Sequence, residues 1–259
     1  MNNRISDYNN TDAGVINIPY FTYETTVTYP HVGPDGLLSH AGLLSILQEA
    51  AALASHERGF SFKTIEKTGV CWVLMGWKLE LSSKPEWNTP LTVHTWPRSV
   101  DGFMSERDFE VFSEGQVVAR ATSRWFLLSA QTKRITRVTD AVRSAYDIDE
   151  RRMFEDDIPS NGTPDPNAQT TYTHTVSRMD IDTYNHVNNL RYLDFALEAL
   201  PAQLYNDPPA TVEIVYRKQI LPGTEIHCLY ACTEDGKHQI EVQSSEGSDV
   251  IHHAYIWFY

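Results

Sequence analysis

The chain has 259 residues, of which 41% are hydrophobic, so it is long enough for one large domain or two medium ones with a substantial core. Its formal net charge of −13 argues against nucleic acid as the main partner. No apolar run approaches the roughly 20 residues that span a bilayer, so no membrane span is predicted.

Residues 1–18 are polar and lack the basic flank and apolar stretch of a signal peptide, so we expect a loose N-terminal tail. We expect Cys71, Cys228 and Cys232 to be reduced core residues, because Cys228 and Cys232 lie too far apart on one predicted strand to bridge. Reduced cysteines are typical of a cytoplasmic protein. Cysteine and histidine spacing does not match a zinc site, and no metal or other cofactor is predicted.

A helix pattern around Leu43, Leu44 and Leu47 follows the polar segment 34–36, with Ser39 as the expected N-cap. Strand patterns follow at 73–81, 91–96, 103–112 and 116–129. Residues 147–170 are acidic and then rich in Asn, Pro, Gly and Thr, which is typical of a linker. A second helix pattern over 190–200 precedes strand patterns at 211–220, 225–232, 238–244 and 250–259.

The second helix-and-strand series repeats the first. Placing Glu49 over Glu198 brings Val27 over Val176 without a gap, and Leu37 falls opposite His186. The pattern predicts two copies of one fold in tandem, at residues 19–146 and 171–259. A helix followed by consecutive hairpin strands, twice, predicts an α+β protein with antiparallel sheets.

Just ahead of the second helix, residues 179–192 concentrate two carboxylates, a histidine and three asparagines. The start of a helix offers free N–H groups and a positive dipole end, which suit a developing negative charge. Asp182 and His186 can together orient and deprotonate a water. The alternative is that Asp180 and Asp182 only cap the helix, and that His186 is an ordinary core histidine.

These residues resemble a known family. The block from Asp180 to Tyr192, together with segments 77–87, 120–125, 132–134 and 215–218, is similar to the acyl-acyl-carrier-protein thioesterases of the plant and bacterial fatty-acid-releasing type. The resemblance runs from about residue 21 to 258. It implies a tandem double hotdog fold, in which two long helices are each wrapped by an antiparallel sheet, with the catalytic motif in the C-terminal copy.

The resemblance also implies hydrolysis of a fatty acyl thioester by an Asp, an Asn two residues on, a His two further on, and a later Glu. Asp182 and His186 match this set. The Asn position holds Tyr184, with Asn185 beside it, and the Glu position holds Gln219. As an amide, Gln219 can hold a water or a carbonyl but cannot act as a base.

Other residues are expected to contact the substrate. The backbone N–H groups of Val187, Asn188 and Asn189 are expected to form an oxyanion hole. Trp72 and Leu47 are expected to line the acyl chain, with ordinary core packing as the alternative.

The partner implied by the resemblance is an acyl carrier protein with a phosphopantetheine-linked acyl chain. Because such carriers are acidic, docking needs a local basic patch. The candidate residues are Lys133, Arg134, Arg137, Arg143, Arg191, Arg217 and Lys218. An acyl-CoA thioesterase, a hotdog dehydratase and a non-hydrolytic acyl-binding module remain alternatives, and a homodimer is left open.

Overall fold

The computed structural model describes residues 20–205 and 207–259, so the predicted tail at residues 1–18 lies outside the described residues. The N-terminal half contains helices α1 (His40–Glu57), α2 (Ile65–Thr68) and α3 (Asp140–Arg143), and strands β1 (Phe21–Thr26), β2 (Val70–Leu81), β3 (Pro90–Asp101), β4 (Met104–Ser113) and β5 (Gln116–Ser129). The C-terminal half contains helices α4 (Asn189–Ala199) and α5 (Ala202–Tyr205), and strands β6 (Gln169–Thr175), β7 (Thr211–Tyr216), β8 (Glu225–Cys232), β9 (His238–Glu246) and β10 (Asp249–Phe258).

The ten strands form one sheet in the order β1-β3-β4-β5-β2-β7-β10-β9-β8-β6, and every neighbouring pair is antiparallel. The strand order of the second half therefore mirrors that of the first. The predicted α+β class and antiparallel sheets are confirmed. The sequence patterns predicted neither edge strand, β1 or β6, and did not show that the two sheets are continuous.

The two halves join where β2 pairs with β7. A side chain at Gly76 would place its Cβ 2.7 Å from the carbonyl oxygen of Ile214, so the close approach of the strands there needs glycine. Lys78 Nζ and Glu213 Oε1 lie 3.2 Å apart across the same junction, and both side chains are buried. The junction is thus built for close pairing and not as a flexible connection.

The main core lies between the sheet and the two long helices, and it draws residues from both halves. Helices α1 and α4 begin at equivalent positions of the predicted repeat. The Ser39 side chain accepts a hydrogen bond from the Gly42 N–H at 3.0 Å, and Asn188 Oδ1 accepts one from the Leu190 N–H at 3.0 Å. Ser39 is therefore the N-cap of α1 as predicted, and Asn188 is the N-cap of α4.

The linker packs against the face of the sheet opposite the helices. The Met153 N–H donates to Asp108 Oδ2 at 3.0 Å, and Gln239 Nε2 donates to the Thr163 carbonyl at 3.0 Å. Asp108 and Gln239 belong to different halves, so the linker is hydrogen-bonded to both halves of the sheet. Its last two predicted residues belong to β6, which begins at Gln169.

The three cysteines differ in exposure. All are free thiols; Cys228 is buried and Cys71 half-buried, whereas Cys232 is exposed. The prediction of three core cysteines is therefore wrong for Cys232, because this residue ends β8 where the strand leaves the core.

The first residue of α1 makes stability depend on pH. His40 is buried, with Nε2 3.2 Å from the Ala210 carbonyl oxygen, and burial lowers its pKa to about 4. The unfolded chain holds this histidine at about 6.5, so only the unfolded state binds its proton between these values. The stabilising contribution is present above pH 6.5, and we expect about 3 kcal/mol to be lost as the pH falls to 4.

Urea denaturation of wild type and His40→Asn across this pH range checks the expectation. The wild-type free energy of unfolding should fall more steeply with decreasing pH than that of the variant. Parallel pH dependences for the two proteins would contradict a role for His40.

Candidate active site

The chemistry-bearing motif forms a closed turn ahead of α4. The Asp182 N–H donates to the His186 carbonyl at 2.9 Å, and the Asn185 N–H donates to the Asp182 carbonyl at 3.1 Å. The Tyr184 N–H donates to Asp182 Oδ1 at 2.8 Å. Asn185 has a φ of 63°, a left-handed conformation that asparagine tolerates better than most residues. Asn185 therefore has a structural reason to stand here beside its predicted catalytic role.

The N-terminal half contains the same turn without its chemistry. The Gly33 N–H donates to the Leu37 carbonyl at 2.9 Å, and the Gly36 N–H donates to the Gly33 carbonyl at 3.0 Å. Gly36 has a φ of 77° at the position equivalent to Asn185. Gly33 and Leu37 thus replace the carboxylate and the imidazole. The pairing of Leu37 with His186, which the gapless alignment of the two halves predicted, is therefore confirmed.

Three hydrogen bonds anchor the start of α4. The Val187 N–H donates to the Ile220 carbonyl at 3.0 Å, and the Asn188 N–H donates to the Asp180 carbonyl at 2.8 Å. The Tyr216 hydroxyl donates to the Asn189 carbonyl at 3.0 Å. The predicted oxyanion hole needs correction, because the N–H groups of Val187 and Asn188 are already used. Among the N–H groups of Val187, Asn188 and Asn189, only that of Asn189 has no hydrogen-bond acceptor within the described part of the chain.

The Asp180 side chain is hydrogen-bonded to residues that precede the motif in the chain. Its Oδ2 accepts hydrogen bonds from the Ser177 N–H at 2.7 Å and the Ser177 hydroxyl at 2.9 Å, and lies 2.9 Å from His174 Nε2. Burial acts to raise the pKa of Asp180, but the bonds from His174 and Ser177 together hold it below its ordinary value. The interpretation of Asp180 and Asp182 as caps of the second helix is wrong. Ser177 is the N-cap of the short 3-10 helix Arg178–Asp180, and Asp180 closes its capping box from the third position.

A cavity of about 530 Å³ opens beside the turn. Its walls come from both halves of the molecule. The lining residues are Gln48, Ile181, Asp182, Thr183, Tyr184, Asn188 and Asn189. Four predicted site residues therefore meet at one surface, together with Gln48 of α1, which the sequence analysis missed. A polar residue on a largely apolar helix carries no sequence signal that it faces another motif.

The remaining predicted residues lie elsewhere. His186 is half-buried, and Gln219 is exposed in the loop after β7, one residue before the Ile220 carbonyl that anchors the turn. Leu47 is fully buried in the main core. Trp72 is half-buried and donates from Nε1 to the Tyr146 hydroxyl at 2.9 Å. None of these four is among the described residues that line the cavity.

Tyr184 provides a neutral hydroxyl at the cavity. Its side chain is 53% exposed, so it can turn toward a ligand. Partial burial, with the neighbouring Cys71 and Asp182, raises the pKa of its phenol. Tyr184 therefore stays protonated near neutral pH and can donate a hydrogen bond.

The chain matches the family model of the acyl-ACP thioesterase N-terminal domain over residues 20–146 and that of the C-terminal domain over residues 164–258. It belongs to the acyl-ACP thioesterase family. An acyl-ACP thioesterase from Bacteroides thetaiotaomicron is 26% identical, with a TM-score of 0.81 over 93% of this chain and 98% of that one. The fold is therefore the double hotdog of this family.

Two further relatives are similar to this chain. The 12:0-ACP thioesterase from Umbellularia californica has the same fold at 20% identity, with a TM-score of 0.78 over 92% of this chain and 96% of that one. The chloroplastic oleoyl-acyl carrier protein thioesterase 2 of Arabidopsis thaliana is 28% identical over 179 residues, which are 62% of this chain and 49% of that protein. The chain thus spans about half the length of this curated relative.

Proposed function

We propose that this acyl-ACP thioesterase family member hydrolyses fatty acyl-acyl-carrier-protein thioesters and releases free fatty acid. The observation that carries the proposal is the Asp182 carboxylate, held at the wall of a cavity at the start of α4 by the turn that also bears His186. The family membership supplies the thioester substrate class. None of the described helices is long and apolar enough to cross a membrane.

The turn supports a direct hydrolysis. The oxygen of a water beside Asp182 attacks the thioester carbonyl carbon while His186 accepts one water proton, and the Asp182 carboxylate stabilises the imidazolium that forms. The Asn189 N–H stabilises the oxyanion, and the Tyr184 hydroxyl is a second donor at the same cavity. The C–S bond then breaks, and His186 returns the proton to the leaving thiolate. Carboxylic acid and carrier thiol are the two products.

Thiol release from acyl-carrier substrates of increasing chain length, with matched acyl-CoA substrates, tests the proposal. We expect release from at least one acyl-carrier substrate at a higher kcat/KM than from the matching acyl-CoA. Tight binding without release would instead identify a non-hydrolytic acyl-binding module. The presence of Tyr184 and Gln219 in place of the family Asn and Glu favours that second candidate.

Four exposed cations are candidates for carrier docking. Lys133 and Arg134 lie in the turn after β5. Burial raises the pKa of Cys71, the neighbour of Tyr184, and the positive charge of Lys133 opposes that rise. Arg217 and Lys218 follow β7 in the loop that anchors the motif. Other predicted cations are partly occupied: Arg191 bonds Asp194 at 2.8 Å, Arg143 lies 3.6 Å from Asp101, and Arg137 lies over the ring of Phe103.

Reversing Arg217 or Lys218 to Glu should raise KM for acyl-carrier substrates about tenfold and leave kcat nearly unchanged, because the long-range attraction to an acidic carrier is lost. Added salt should raise the wild-type KM in the same way.

Arg120→Glu is the matched control. It makes the same charge change on β5, on the face opposite the helices, and because it also breaks the 3.7 Å ion pair of Arg120 with Glu110 it shows how much KM responds to a disturbed surface alone. Steady-state kinetics with acyl-carrier and small acyl thioester substrates separate the effects. An equal rise in KM for acyl-carrier and small thioester substrates would mean that Arg217 or Lys218 acts in the active site or in the fold, and it would contradict a role in carrier docking.

A further inference from the structure

Two buried side-chain polar atoms in the described part of the chain have no hydrogen-bond partner, Gln48 Oε1 and Trp77 Nε1. Trp77 is fully buried in the core. Gln48 instead lines the cavity that Asp182 also lines. Leaving a buried acceptor unsatisfied is unfavourable for folding, so a ligand in the cavity gives this amide a reason to be there.

The position of Gln48 in the repeat supports the same interpretation. When Glu49 is placed over Glu198, Gln48 falls opposite Leu197 of α4, which packs against the core. An amide therefore stands on α1, beside the turn that carries Asp182. The corresponding position of α4 is apolar, and the turn of the N-terminal half has Gly33 and Leu37 in place of the carboxylate and imidazole.

We propose that Gln48 positions the attacking water in the thioester hydrolysis proposed above, on which this inference rests. A water has two protons to donate. It gives one to His186, which removes it during the attack, and one to Gln48 Oε1, which leaves a lone pair directed at the carbonyl carbon. A glutamine orients the attacking water in the same manner in some nucleotide hydrolases. The N-terminal half thereby completes a site whose acid and base belong to the C-terminal half.

Gln48→Leu keeps the bulk of the side chain and removes the amide. We expect kcat to fall by about 10- to 100-fold with KM within about twofold of wild type, because the amide acts on the water and not on substrate binding. The melting temperature should equal or exceed that of wild type, since a buried unpaired acceptor is removed. A structural amide would instead lower the melting temperature.

Gln48→Glu is the second variant, and it keeps the length and one acceptor oxygen. Its carboxylate orients water only when ionised, and the nearby Asp182 charge opposes that ionisation. We therefore expect the acid limb of its kcat profile to move to higher pH. The neighbouring Glu49 is exposed, so Glu49→Gln serves as a control and should match wild type.

The outcomes separate the two proposals. If wild type releases no thiol from any acyl-carrier or acyl-CoA substrate, the proposed function fails. If wild type is active and Gln48→Leu has wild-type kcat, only the role of Gln48 is overturned. A large fall in the melting temperature of Gln48→Leu, with a Gln48→Glu pH profile identical to that of wild type, would also overturn it.

Discussion

His186→Ala should lower kcat/KM for the best acyl-carrier substrate by about 100-fold or more, equivalent to about 3 kcal/mol of transition-state stabilisation. The imidazole of His186 can both accept and return a proton, which the carboxylates and amides of the motif cannot do as readily. Its ring makes no hydrogen bond with residues 20–205 or 207–259, so the melting temperature should change little.

A histidine outside the turn provides the control. His227 is half-buried on β8 in the same half of the molecule and lies 3.2 Å from the Thr173 hydroxyl. His227→Ala should retain wild-type turnover. A folded His186→Ala protein with near-wild-type turnover would exclude His186 as the proton carrier.

Asp182 has two roles, which two substitutions separate. In the wild type the Tyr184 N–H donates to Asp182 Oδ1 at 2.8 Å. Asp182→Asn keeps an acceptor oxygen for this hydrogen bond and removes the negative charge. We expect turnover to fall by about 100-fold with an unchanged melting temperature. Asp182→Ala removes both, and should lose as much activity and in addition about 1 kcal/mol of stability.

The N-terminal turn offers the matched control. Asp35 Oδ1 accepts a hydrogen bond from the Leu37 N–H at 3.0 Å, so Asp35→Asn makes the same chemical change in the turn without a histidine. It should leave turnover unchanged. Full activity in Asp182→Asn combined with low activity in Asp182→Ala would reduce Asp182 to a turn-forming residue. Thiol-release kinetics and thermal melts of all three variants decide this.

Much of the fold could be predicted because local patterns occur twice. The apolar spacing around Leu43 and Leu193, and the alternation along the hairpin strands, indicate helices on antiparallel sheets. The gapless pairing of Glu49 with Glu198 also placed the two helix starts correctly, since caps and turns depend on neighbouring residues. The strands β1 and β6 were missed because both are short edge strands without a fully buried residue, so neither shows a clear apolar alternation.

The candidate site was predicted in part. Asp182, Tyr184, Asn188 and Asn189 meet at one cavity because they lie close together in sequence and one turn positions them. The prediction gave the oxyanion hole three backbone N–H donors, whereas the structure leaves only that of Asn189 free among them. Whether a backbone N–H is free depends on its partner, and the partner of Val187 is Ile220, more than thirty residues away in the chain.

By itself, the sequence determined the repeated architecture, the turn ahead of α4 and the asymmetry between Asp182–His186 and Gly33–Leu37, because these follow from residue types at short range. Only the tertiary structure decided that β2 pairs with β7 to make one sheet, and that Gln48 of α1 lies at the cavity of the other half. Contacts between residues distant in the chain arise from packing. The local periodicity of a sequence indicates which face of a helix or strand is buried, but not which other element that face contacts.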